Sequence, residues 1–148
     1  MFEQDYLMRM LMQFMEALRK SMLKAAGERD FEGSAKLIEA AIGNATDMDG
    51  DILLSLAPES LAGVLHVSGT DPRVAEYIAQ SLLLEASYLR DAGIDERAGI
   101  RETQAHALAK AFDFEIGLDE LTEEEWEEFF SRENETRPAE ISDGIEKF

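Results

Sequence analysis

FEQDYLMRMLMQFMEALRKSMLKAA, residues 2–26, decides the fold class. Phe2, Tyr6, Met10, Phe14, Leu18 and Met22 recur every four residues, and Leu7, Leu11 and Met15 fill the adjacent row. Asp5, Arg9, Gln13, Glu16, Lys20 and Lys24 make one narrow polar stripe. The period is helical, and the helix is apolar around most of its circumference. Its length is roughly 37 Å at a helical rise, and Gly27 is the expected stop.

The same reading extends along the chain. Asp30 is a good N-cap for a second helix from Phe31 to Ile42, and so short a connection predicts an antiparallel hairpin. Gly43 to Gly50 (GNATDMDG) reads as a loop. Short helical pieces follow, from Asp51 to Leu56 and from Pro58 to about His66. Asp71-Pro72 opens a helix that runs to about Asp91 and stops at Gly93. Asp95 is then the expected cap of a last core helix carrying Ala98, Ile100, Ala105, Leu108, Ala109 and Phe112. No stretch alternates with period two, so no strand is predicted.

The chain changes character near residue 115. Of its net charge of −18, a net −10 lies in residues 115–148. The expected division is a helical body over 1–114 and an acidic extension over 115–148. Within the extension, Thr122-Glu123-Glu124-Glu125 is a capping box, and Leu121 and Trp126 occupy the staple positions. They specify a short helix at about 122–132, with Trp126, Phe129 and Phe130 on one face at i, i+3, i+4. Residues beyond Glu133 read as a polar tail. A helix this short cannot stand alone in water. It is therefore expected to dock on the helical-hairpin body, whose least acidic long stretch is the first helix, in its own chain or a dimer mate, partly occupying the groove a partner would use.

Composition excludes several functions. The absence of cysteine removes disulfide scaffolds, zinc knuckles, iron–sulfur clusters and thiol nucleophiles. So negative a chain repels phosphate backbones, so nucleic acid is not an expected partner. The acidic start, Met1-Phe2-Glu3-Gln4-Asp5, lacks the positive region of a secretory signal, and no apolar run reaches the ~20 residues of a membrane span. A cytoplasmic location is expected, with no membrane partner. The Asp47-Met48-Asp49-Gly50-Asp51 stretch suggests calcium, but an EF-hand register would put Ala45 and Leu56 at ligand positions. His66 and His106 lack the Glu-x-x-His spacing of a diiron bundle. No phosphate-binding, dinucleotide or nucleophile-elbow motif occurs. No metal, cofactor or catalytic residue is expected.

Six of the seven methionines lie in the first 22 residues, and Met8, Met12, Met15 and Met22 form a helical stripe. Methionine fills irregular cores, and it also builds adaptable binding faces. One hairpin partner covers about one stripe, so the breadth of this face predicts a homodimer through the first helix. The candidate interaction residues are Met8, Met12, Met15, Met22, Trp126, Phe129 and Phe130.

In the second hairpin, Ala86, Leu89, Gly93, Ala98 and Ala105 fall on the spacing of small and turn residues in a tetratricopeptide repeat, which it resembles in degenerate form. FEQDYLMRML, DFEGSAKLIEAAI and DILLSLAPESL, in that order before a repeat-like hairpin, resemble a family of small uncharacterised bacterial all-helical proteins. The resemblance covers roughly residues 2–112 and leaves out the Trp-containing tail. It implies a tetratricopeptide-like fold and no established activity. The expected fold is thus all-α: tetratricopeptide-like antiparallel helical hairpins with an appended short acidic helix. The expected role is a non-catalytic protein-interaction or assembly module with an unidentified partner. The alternative is a small-molecule-binding protein or enzyme with a pocket between helices.

Overall fold

The computed structural model describes residues 2–132, with side chains from Asp5 onward, and within that range it is helical with no strand. The first helix, α1 (Phe2–Leu23), runs into a single π-helical turn, Lys24–Glu28. Gly27 lies inside that turn and does not end the helix; the chain reverses at Arg29, whose φ of 52° is left-handed. The wider turn displaces the reversal by two residues, and the Arg29 guanidinium lies 5.4 Å from the Phe31 ring centre. Asp30 then caps α2 (Phe31–Thr46), accepting a hydrogen bond of 2.9 Å from the Gly33 amide.

α2 outruns its expected end by a turn, because Thr46 Oγ1 bonds back to the Ile42 carbonyl at 2.8 Å and left-handed Asp47 closes the helix. The loop read from composition is thereby cut to three residues. Asp49 caps the short α3 (Gly50–Leu54). Gly43 and Gly50 make that turn possible: a Cβ on Gly43 would lie 2.9 Å from the Met48 carbonyl oxygen, and one on Gly50 would run into that of Glu39.

Pro58 and Pro72 occupy the first positions of α4 (Pro58–Val67) and α5 (Pro72–Asp91). Gly93, at φ 81°, turns the chain into α6 (Asp95–Phe112). Asp95 is the first residue of α6 and not its cap; Ile94 holds the cap position without a side-chain bond. After an irregular link, α7 covers 123–132. Its box is complete: Thr122 N–H donates to Glu125 Oε1 at 2.9 Å, and Glu125 N–H donates to Thr122 Oγ1 at 3.2 Å.

α1 packs on α2, α2 on α5, and α6 on both α4 and α5. α5 is enclosed on almost every side between Val74 and Leu89, polar Gln80, Ser81 and Glu85 included. Ala86, Leu89 and Ala98 pack with Ala35 in a satellite of the main core, where α2, α5 and α6 approach closely. On α1 the buried line is Met8, Leu11, Phe14, Met15 and Leu18. A spacing of four residues drifts by about 40° per step around a helix. The row that begins at Tyr6 is therefore 60% exposed there and fully buried by Leu18. No helix among the described residues is long and apolar enough to cross a membrane.

Candidate functional site

The two features singled out in the sequence, the methionine stripe and the aromatic triplet, lie at the same place. Phe14 of α1 meets Tyr77 of α5 edge-on at 5.9 Å, and eight residues on Met22 lines the same groove as Tyr88. α1 and α5 therefore run in the same direction. α7 lies along both in the opposite sense. Phe129 stacks edge-on against Tyr77 at 4.5 Å, Arg132 Nη2 pairs with Glu76 at 3.2 Å, and Arg19 reaches Glu127 at 3.5 Å. The Arg19 guanidinium also caps the Phe130 ring at 4.7 Å.

Positions 8, 12, 15, 19 and 22 recur at +4, +3, +4, +3, one stripe of a helix. Arg19 belongs to the methionine stripe, so α7 lies on the methionine side of α1. Met8 and Met15 are buried in the core, and Met12 and Met22 are half-buried. Trp126, Phe129 and Phe130 are 2%, 7% and 1% exposed, and Trp126 packs against both phenylalanines. Cover that the sequence assigned to a second copy comes, for most of this face, from α2, α5 and α7 of the same chain. Tyr6 and Leu23 remain outside. The indole Nε1–H of Trp126 is buried without an acceptor.

A second arrangement was missed from sequence: a buried charge cluster joining four elements. Arg101 of α6 donates from Nε to Glu85 of α5 (2.8 Å), from Nη2 to Glu39 of α2 (3.2 Å), and from Nη1 to the Leu54 carbonyl and Gln104 Oε1 (both 3.1 Å). Gln104 Nε2 donates to the carbonyls of Leu54 and Leu56. Arg97 adds a second cation on Glu39 at 3.0 Å. Burial, then the hydrogen bond and charge of Glu39, push the Glu85 carboxyl well above its ordinary range despite Arg101. Burial acts the same way on Glu39, but its hydrogen bonds with Glu85 and Arg101 outweigh it and hold that carboxyl low. Glu85 Oε1 is buried without a hydrogen-bond partner, which leaves that half of the carboxylate uncompensated. The signal was present in the sequence: Ile78, Leu82, Glu85 and Leu89 follow helical spacing, which puts a carboxylate on the apolar stripe of α5.

Two open grooves adjoin these features. One, of ≈ 550 Å³, lies between Tyr6, Leu7 and Met10 of α1, Asp47 after α2, and Arg73 and Val74 of α5. The other, also ≈ 550 Å³, has Glu39 on its wall beside Lys36, Asn44 and Asp49. The acids of the buried cluster are committed to Arg101 and Arg97, which makes the cluster a clasp between helices. No group of three or more potential metal-ligating side chains converges among the described residues. No family model matches the chain, nor does any curated protein or solved structure.

Proposed function

We propose that this chain is a non-catalytic protein-interaction or assembly module of tetratricopeptide-like helical hairpins. Its working surface is the methionine-lined furrow between α1 and α5. One observation carries this reading: the furrow already holds an amphipathic helix, seated by one indole and two phenyl rings. Helix-in-groove recognition uses this spacing of apolar anchors, and methionine suits a surface that repacks around them.

The test is a photo-crosslinking residue at Met12, in the furrow, against the same residue at exposed Lys36 on α2. One discrete adduct from Met12 and none from Lys36 supports the reading. An adduct whose mass is that of a second copy identifies the assembly as a homodimer through α1. Equal adducts at both positions, or none, refute it. The alternative, a small-molecule site, draws on the groove at Tyr6 and Arg73, whose volume of ≈ 550 Å³ is in the range of ligand pockets. A metabolite that raises the melting temperature, and loses that effect in Arg73→Ala, would favour it.

A further inference from the structure

We infer that α7 is an intramolecular stand-in for a partner helix, and that the furrow beneath it takes a helix of the same chemistry from another protein. That helix presents an indole and two phenyl rings at i, i+3 and i+4, an acid at i+1, and an arginine at its C-terminal end. The inference rests on the furrow being the interaction surface and adds what the surface recognises and what blocks it.

The contact has the anatomy of an interface. Its centre is aromatic, with Trp126, Phe129, Phe130 and Tyr77 sealed from water and Arg19 against a ring face. These are the residue types that dominate binding at interfaces. Its charges lie at the rim, where Arg19–Glu127 and Arg132–Glu76 pair with side chains partly open to solvent. Rim pairs add little affinity and set orientation. Here they fix the direction: an acid opposite Arg19 and a base opposite Glu76 admit the helix only antiparallel to α1.

Two further features make α7 separable. Residues 113–122 form an irregular link between α6 and α7, only partly buried on the core through Phe114, Ile116 and Leu121, so release of α7 dismantles no other helix. The Trp126 indole N–H is sealed without an acceptor, which weakens the docked state. Elements of this kind open locally while the body of a protein stays folded.

The experiment titrates a fluorescent peptide copying residues 119–132 into two full-length proteins, the wild type and Trp126→Ala/Phe129→Ala. The peptide should bind the variant saturably and the wild type at least ~10-fold more weakly, because the tethered α7 competes at an effective concentration near millimolar. A peptide with both residues changed to alanine should bind neither. Equal affinity for both proteins, or no binding to a variant that retains its helical circular dichroism, overturns the inference. Should the variant not fold, hydrogen exchange on the wild type decides. Amides of 126–132 should exchange at least ~30-fold faster than those of Ile78–Leu89, and equal protection would overturn the inference. A peptide that fails while the Met12 adduct persists removes the stand-in role and leaves the interaction surface. An adduct that fails while the peptide binds removes the external partner alone.

Discussion

Replacing Arg101 with methionine keeps the length of the side chain and deletes its charge, at the buried centre of a cluster whose outer edge, at Arg97, meets solvent. The guanidinium makes four hydrogen bonds, two of them to the carboxyls of Glu85 and Glu39. Bonds to charged partners contribute about 1.5–3 kcal/mol each, so those two together account for roughly 3–6 kcal/mol. Breaking a buried ion pair by removing one partner costs about 3–5 kcal/mol by comparison, because the other charge is left stranded. The two routes agree on about 4 kcal/mol, a large share of the ~5–15 kcal/mol that holds a domain together. At this chain length the melting temperature should drop by roughly 10 °C or more. Urea titration followed by far-UV circular dichroism measures the loss directly, and an unchanged slope would confirm that only stability has moved. Adding Glu85→Gln should recover part of the loss, since Glu85 is the carboxyl left without a cation while Glu39 keeps Arg97. A loss below about 1 kcal/mol for Arg101→Met would refute the argument, because the carboxyls would then be solvated without the arginine.

Three further outcomes follow from the same contacts. Glu85 has a folded-state pKa above the ordinary 4.5, so its stabilising contribution is complete below about pH 4.5 and is lost as pH rises toward the raised value. Wild-type stability should therefore decline by up to about 1.4 kcal/mol per pH unit within that window, and Glu85→Gln should flatten the decline and stabilise the protein at pH 8. Glu39, held low, acts in the opposite sense and loses its contribution as pH falls below 4.5. Gly50→Ala should cost about 1–3 kcal/mol in urea titration, since its Cβ would meet the Glu39 carbonyl. Thr122→Ala should weaken α7 by about 1 kcal/mol through loss of the N-cap. Trp126 is the chain's single tryptophan and is buried, so its emission should shift to the red in that variant as docking loosens.

The sequence by itself determined what depends on neighbours within a few residues. The helical class follows from the period of residues 2–26. The starts of α2 and α7 follow from Asp30 and from the Thr122–Glu125 box, whose bonds span three residues. The turns at Pro72 and Gly93 are equally local, because a fixed or freed φ acts at its own position. Where local signals failed, a competing contact decided. Gly27 lost the helix end to Arg29 across a π turn, and Thr46 carried α2 through residues that read as a loop. The tertiary structure alone decided which face of α1 is core, since a row spaced by four winds from solvent to interior. It alone placed α7 on the methionine side of α1, and it joined Arg101 to Glu39 across 62 residues and Gln104 to Leu54 across 50. Each of those charges reads in sequence like an ordinary surface residue. A buried ion pair exists only when distant helices bring both partners out of water together, and no local pattern encodes that meeting.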